Sequence, residues 1–126
     1  MRYFDTATGE LIADRMRQIC AGIATAQECE IEIRIWNVFD VLLNDPERAA
    51  DMLSCAAEIG GAVEKTTLQM GSEDFADMLR IVPGAYCTLG HPGVAQLHNP
   101  GFIFDDAILP VGASLYARLV EVRGAA

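Results

Sequence analysis

The part of the chain that decides the fold reads Gly71-Ser72-Glu73-Asp74-Phe75, Val82-Pro83-Gly84-Ala85, Leu89-Gly90, Leu97-His98-Asn99-Pro100-Gly101, Phe104-Asp105-Asp106-Ala107 and Leu109-Pro110-Val111-Gly112-Ala113. Glycines and prolines interrupt it at short intervals, and acidic residues stand where helices are expected to begin. Ser72 is predicted to cap one helix, which Pro83 ends. Glu73 and Asp74 are predicted to lie in the first turn of the helix that Ser72 caps. Asp105 or Asp106 is predicted to cap a last helix.

Upstream of this part, helix and strand signals alternate. Residues 44–46, Asn-Asp-Pro, predict a helix start, and Gly60-Gly61 predicts its end. Residues 63–68 and 85–89 have the composition of short strands. Residues 37–126 are therefore expected to form the alternating helices and strands of an α/β layer.

The first part of the chain, residues 1–36, is interpreted as strand, helix, strand. A helix capped by Asp5 or Thr6 is predicted to run to about Ala26, because its apolar residues recur at helical spacing. From residue 29 to 36, isoleucines alternate with charged residues, which is typical of a half-buried strand.

The resulting fold class is α/β, or more narrowly an α+β fragment. Residues 1–36 are predicted to form the strand-helix-strand half of a ferredoxin-like domain, and residues 37–126 a second domain. Two strands and one helix are marginal by themselves, so the first segment is expected to need a partner half.

Composition excludes two classes of function. A net charge of −9 argues against nucleic-acid binding, which needs clustered Lys and Arg. No apolar run is long enough to cross a membrane, and no signal peptide is recognisable, so a cytoplasmic protein with no membrane partner is expected. The hydrophobic share of 52% is high for a small domain and favours an apolar surface meant for a partner.

The four cysteines offer no metal-binding or disulfide pattern. Cys20, Cys29, Cys55 and Cys87 form no Cys-x-x-Cys pair and fall on different predicted elements. They are expected to be free thiols.

The two histidines lie in one predicted loop, residues 90–101. His98 is the first choice for a ligand, because binding residues concentrate on loops between rigid elements. An isolated loop histidine is more often an exposed residue without a task. His91 is interpreted as an exposed histidine, although a ligand role stays open.

The ordered motifs from Gly71 to Ala113 resemble the C-terminal end of the metal-dependent amidohydrolases and carboxypeptidases that include hippurate hydrolase and the indole-acetyl-amino-acid hydrolases. The resemblance implies that residues 1–36 are half of a lid and dimerisation domain, and residues 37–126 the end of a catalytic domain. It also implies that His98, in its Leu-His-Asn-Pro setting, binds Zn or Mn. Glu73 and Asp74 would then lie near the metal without binding it.

The other signatures of the resembled enzymes, a Cys-Gly-His-Asp-x-His segment and a Glu-Glu pair, are not in this sequence. The expectation is a C-terminal fragment of an enzyme that hydrolyses the amide bond of hippurate-like N-acyl amino acids. Alone, it would be inactive and would hold no metal tightly. An upstream catalytic portion is one expected partner, and a homo-oligomer through residues 1–36 is another.

Two other interpretations remain open at this point. The chain could be a non-enzymatic, self-associating module derived from the same family. A small α/β ligand-binding protein is the third, but it leaves the motif series unexplained.

Overall fold

The computed structural model describes residues 1–93 and 95–125, and its regular elements there are helical. They are α1 (Thr6–Ala26), α2 (Pro46–Ile59), the short α3 (Phe75–Leu79) and α4 (Leu109–Gly124), which a 3₁₀ turn at Asp106–Ile108 precedes. No described helix is long and apolar enough to span a membrane.

Side-chain caps explain where α1, α2 and the 3₁₀ turn start. Asp5 accepts a hydrogen bond from the Thr8 amide at 2.8 Å, and Asp45 accepts one from the Arg48 amide at 3.0 Å. Asp105 accepts from the Ala107 amide at 2.9 Å and so starts the 3₁₀ turn that leads into α4. Each carboxylate satisfies an amide that has no partner inside the helix. The predicted starts of α1 and α2 are confirmed, whereas α4 itself begins at Leu109 without a side-chain cap, and Asp105 caps the 3₁₀ turn before it.

The helix before Pro83 differs from its prediction. It begins at Phe75 rather than after Ser72, and Asp74 at its N-cap makes no side-chain hydrogen bond. Glu73 and Asp74 therefore precede the helix instead of forming its first turn. A helix of five residues has little stability of its own, because forming its first turn costs free energy that few further residues offset.

The predicted α/β fold is wrong for the described residues, which contain no strand or sheet. The predicted strands at residues 2–4, 29–36, 63–68 and 85–89 are all irregular. A strand requires a neighbouring strand to complete its hydrogen bonds. No described backbone hydrogen bond to another backbone group involves residues 30–43, so this segment has no strand paired with it among the described residues.

The alternation expected of the segment at residues 29–36 is still visible in its burial. Ile33 and Ile35 are half-buried, whereas Glu32 before them and Arg34 between them are exposed. Ile31, the first of the alternating isoleucines, is 40% exposed, so burial follows the sequence pattern at Ile33 and Ile35 only, and the backbone forms no ladder.

Contacts divide the chain into two compact units. The first comprises Met1–Leu43 and Thr66–Val82, and the second comprises Asn44–Lys65 and Pro83–Ala126. The predicted domains, 1–36 and 37–126, remain a prediction.

In the first unit, α1 is held by the residues on either side of it. The Tyr3 ring lies against Gly9, where a Cβ atom would come 2.5 Å from the ring Cζ, so a larger residue here would displace the ring. Thr6 donates to the Asp40 carboxylate at 3.1 Å, and Arg80 lies 3.7 Å from the same carboxylate. Asp40 therefore links the start of α1 to the end of α3.

In the second unit, α2 packs against α4. Cys55 on α2 is only 2% exposed. Arg118 on α4 donates to the Glu58 carboxylate at 2.8 Å, and Arg123 lies 3.9 Å from Asp51. These ion pairs are largely exposed and are worth little each, so the buried contact holds the two helices together.

The chain has a small core for its size. Its buried hydrophobic residues, among those described, are Ala13, Cys55 and Ala76. The accessible surface is 9994 Å² for 13.6 kDa, whereas a folded monomer of this mass is expected to expose about 6,600 Å². About 3,400 Å² more surface is exposed than in an ordinary monomer.

Candidate functional site

His98 lies at the third position of a tight turn. The Asn99 amide donates to the Gln96 carbonyl at 3.1 Å and closes this turn. The φ of His98 is +67°, which is uncommon for any residue other than glycine, although histidine enters this region more often than most. A positive φ at the third position is the mark of a type II turn.

A second turn follows immediately. The Phe102 amide donates to the Asn99 carbonyl at 2.9 Å, and the Asn99 side chain accepts from the Gly101 amide at 2.8 Å. Pro100, in the second position, has a ring that restricts its φ. His98 is therefore fixed from both sides, while its imidazole is exposed to solvent.

The positive φ of His98 is a strained backbone conformation at an exposed side chain. Such a conformation costs about 1–3 kcal/mol and persists where the surrounding structure imposes it, often at functional sites. Among the described residues other than glycine, Glu28 also has a positive φ, of +51°, so the backbone conformation supports the choice of His98 without being unique to it.

The described residues do not form a complete metal site around it. They contain no group of three or more His, Cys, Asp or Glu side chains that could hold one ion. Zinc sites use three or four protein ligands, so one histidine does not fit the whole requirement. The metal-ligand role of His98 stays a prediction that requires ligands from elsewhere.

Glu73 and Asp74 belong to the first unit, whereas His98 belongs to the second. Both carboxylates are exposed, and the Glu73 carbonyl accepts from the Ala76 amide at 3.2 Å just before α3. Their proposed place near a metal stays a prediction.

His91 is not the exposed histidine that the sequence indicated. Its ring is half-buried, 5.0 Å from the ring of Phe102. The Gly93 amide points at Nδ1 from 2.9 Å, and the Asp105 amide at Nε2 from 3.1 Å. A neutral imidazole has one acceptor nitrogen, so it satisfies one of these two amides at a time. His91 thereby connects its loop to the cap of the last helix.

An apolar groove of about 540 Å³ lies in the second unit, and we call it the Phe104 groove. Its described lining is Leu89, His91, Gly93, Ala95, Leu97, Phe102, Phe104, Ile108, Leu109, Gly112, Ala113 and Tyr116. Phe104 is 49% exposed and Tyr116 is 72% exposed. Large exposed apolar side chains grouped in this way are typical of an interaction surface or a ligand-binding groove.

The sequence did not predict the groove. Its lining comes from a loop and from α4, and local sequence patterns do not show that these two segments are in contact. Phe102 and Phe104, two residues apart and close to the Asn-Pro-Gly turn, are the sequence signal that could have indicated it.

The cysteines do not contribute a site among the described residues. All four are free, and Cys55 is the buried one. Partial burial raises the pKa of the Cys87 thiol, which keeps that thiol protonated and poorly reactive at neutral pH.

The chain is similar in sequence to several proteins that are named as hydrolases or deacetylases. Hippurate hydrolase of Campylobacter jejuni is 33% identical over 124 residues, which cover 94% of this chain and 32% of that protein. N-acetylcysteine deacetylase of Bacillus subtilis is 25% identical over 97% of this chain and 32% of its own length. An indole-acetic-acid-amino acid hydrolase-like protein of Arabidopsis thaliana is 39% identical over 57 residues, 41% of this chain and 12% of its own.

The chain thus spans about a third of the length of the first two relatives. No solved structure gives a significant match. The model of the family described as Peptidase family M20/M25/M40 matches residues 5–122, nearly the whole chain. The resemblance read from Gly71 to Ala113 is confirmed, and the chain belongs to Peptidase family M20/M25/M40.

Proposed function

We propose that this chain is the C-terminal part of a metal-dependent amidohydrolase that cleaves the amide bond of hippurate-like N-acyl amino acids, and that it is inactive alone. The observation that carries the proposal is the excess of about 3,400 Å² of exposed surface over that of an ordinary monomer. Obligate interfaces bury about 2,000–5,000 Å² counted over both partners, or about 1,000–2,500 Å² from each, so the excess on this chain is large enough for such a contact. A chain that spans a third of its relatives would expose such a surface where the remainder packs.

Within this proposal, the Phe104 groove is where the rest of the enzyme packs, and His98 contributes one metal ligand. Zn or Mn would supply the Lewis acid and the activated water when bound. The other ligands and the general base would come from the remaining two-thirds, so no catalytic step is assigned to this chain alone. A cytoplasmic location remains part of the same proposal.

The first experiment uses the chain by itself. We expect no hydrolysis of hippurate with added Zn or Mn, and near-zero metal after dialysis. Turnover by the purified chain that needs added metal and disappears in His98→Ala would refute the proposed inactivity. Stoichiometric metal that depends on His98 would refute the expectation of near-zero metal, because such binding would reveal a metal site complete within one chain.

The second experiment tests the role of His98 in a complete enzyme. This chain replaces the matched third of the C. jejuni hippurate hydrolase, and metal content and hippurate hydrolysis are measured. We expect His98→Ala to remove one metal ion and the activity together. Gln96→Ala, a change to an exposed side chain in the same turn, is the matched control. An unchanged metal content in His98→Ala would show that this residue is not a ligand.

A second candidate function is self-association through residues 1–36, without catalysis. Its support is the segment from residue 30 to 43, which has no backbone pairing among the described residues, and Ile31, which is 40% exposed. Size-exclusion chromatography with light scattering tests it. We expect Ile33→Lys to dissociate the oligomer and Glu32→Lys, on the charged face, to leave it intact. An oligomer that persists unchanged in Ile33→Lys places the contact elsewhere.

A further inference from the structure

The two turns at His98 are ordered by hydrogen bonds that stay inside them. The Asn99 amide donates to the Gln96 carbonyl at 3.1 Å, and the Phe102 amide donates to the Asn99 carbonyl at 2.9 Å. Among the described residues, every hydrogen bond of residues 95–102 has both of its partners within that segment. These bonds fix the shape of the turns, but they do not fix where the turns stand on the unit.

The His91 side chain joins the turns to the start of the last helix. Its ring lies 5.0 Å from the ring of Phe102, which ends the second turn, and 6.2 Å from the ring of Phe104. Its Nε2 atom accepts from the amide of Asp105, the residue that caps the 3₁₀ turn before α4, at 3.1 Å. His98 is midway in sequence between His91 and Asp105, so this hydrogen bond closes the loop that carries it.

Burial decides which nitrogen of His91 accepts. A neutral imidazole has one acceptor, so the Gly93 amide at Nδ1 and the Asp105 amide at Nε2 compete for it. Gly93 is exposed and its amide can bond to water, whereas Asp105 is half-buried. A backbone amide that is shielded from water loses more when it has no partner. The contact with Asp105 is therefore favoured, and it requires the proton on Nδ1.

We propose that His91 is a positioning residue for His98: through Nε2 it holds the far end of the loop at Asp105, and so sets where the His98 imidazole meets its ion. The inference rests on the proposed role of His98 as a metal ligand. His91 itself is no ligand, because both of its nitrogens are directed at backbone amides. Without an acceptor at the Nε2 position, metal binding has to order the loop again, which weakens it.

The first test locates the proton on the His91 imidazole of the unmodified chain. Nitrogen magnetic resonance distinguishes the two ring nitrogens in mildly alkaline solution, where ordinary histidines are neutral. We expect the proton on Nδ1. A proton on Nε2 would leave no acceptor for the Asp105 amide and overturns the proposal. This measurement needs no variant, so it decides the question even where a substitution prevents folding.

Three substitutions then separate the acceptor from the size of the side chain. The side-chain oxygen of Gln lies about where Nε2 does, that of Asn about where Nδ1 does, and Leu has no acceptor. We expect amide hydrogen exchange at Asp105 and Phe102 to become about tenfold faster in His91→Leu and His91→Asn, and to stay near wild type in His91→Gln. Exchange within α2 is expected to be the same in all three. Equal exchange at Asp105 in the Gln and Leu variants overturns the proposal, because the acceptor would then not matter.

The last test uses the hybrid enzyme in which this chain replaces the matched part of the C. jejuni hippurate hydrolase. Zinc affinity is measured against a competing chelator. We expect the dissociation constant of one zinc ion to rise about tenfold in His91→Leu and to recover in His91→Gln. If His98→Ala leaves zinc affinity unchanged, the proposed function of His98 fails, and this inference with it. If His98→Ala loses the ion but His91→Leu binds it as tightly as the unmodified hybrid, the positioning role alone fails.

Discussion

Replacing Asn44 by alanine tests how the second unit holds the segment at residues 84–86. The Asn44 amide group stands where a neighbouring strand would stand, and it satisfies both the amide and the carbonyl of Tyr86. Two such hydrogen bonds, both partly accessible to solvent, are together worth about 1–2 kcal/mol. We therefore expect Asn44→Ala to lower the free energy of unfolding by that amount.

Urea denaturation followed by far-ultraviolet circular dichroism measures this loss. With a denaturant slope of about 2 kcal/mol/M, the midpoint is expected to fall by roughly 0.5–1 M. Asn44→Asp keeps the acceptor for the Tyr86 amide but places a carboxylate against the Tyr86 carbonyl, so it is expected to destabilise at least as much. The control is Gln96→Ala, which removes an exposed amide side chain. If Asn44→Ala shifts the midpoint no more than this control, the backbone of Tyr86 is held by something else.

Three further predictions follow from single positions. His98→Gly is expected to be as stable as His98→Ala or up to about 1 kcal/mol more stable, because relief of a positive φ outweighs the added freedom of the unfolded chain; urea midpoints lower for Gly than for Ala would contradict the turn geometry. The hydrogen bond from the Thr8 hydroxyl, and next the one from the Thr8 amide, lower the pKa of Asp5 below its ordinary value of 3.8. The ionised carboxylate therefore stabilises α1 fully above pH 3.8, and this stabilisation is lost as the pH falls through the lowered pKa. Circular dichroism is expected to show a loss of helix in acid for wild type and a smaller loss for Asp5→Asn. Gly93→Ala is expected to displace the His91 ring, since a Cβ there would lie 2.6 Å from Nδ1, and a changed imidazole chemical shift would show it, whereas an unchanged one would argue against the contact.

Helix starts were predictable because their causes are local. At α1 and α2 an aspartate accepts from the amide three residues later, with a proline beside it in α2. At the 3₁₀ turn Asp105 accepts from the amide two residues later, and all three caps are residues that the sequence indicated. The start of α3 was placed two residues too early, since Ser72 resembles a cap but the N-cap is Asp74.

Strands were not predictable in the same way, because a strand depends on a partner that sequence patterns do not supply. The isoleucines near residue 33 alternate as expected, yet no described backbone lies alongside to pair with them. At residues 84–86 no second strand is present among the described residues, and the Asn44 side chain donates a hydrogen bond to the Tyr86 carbonyl that a neighbouring strand would otherwise form. The pattern predicts which side chains share a face, but it does not show whether a second strand is present.

The candidate site was only partly visible in the sequence. His98 was identified from its motif, but its backbone conformation was not. His91 was misassigned because its contacts, Phe102 and the Asp105 amide, lie 11 and 14 residues further along the chain.

The turn at His98 has a consequence for any ion that this residue binds. A histidine in a mobile loop loses backbone freedom when it coordinates, which costs about 1–2 kcal/mol for each residue that becomes fixed. Here the two consecutive turns impose that order during folding, so the cost does not reduce affinity at the moment of coordination. The backbone that carries the imidazole is thus ordered in advance, and a change that loosens either turn would weaken the affinity of any ion bound there without touching the ring.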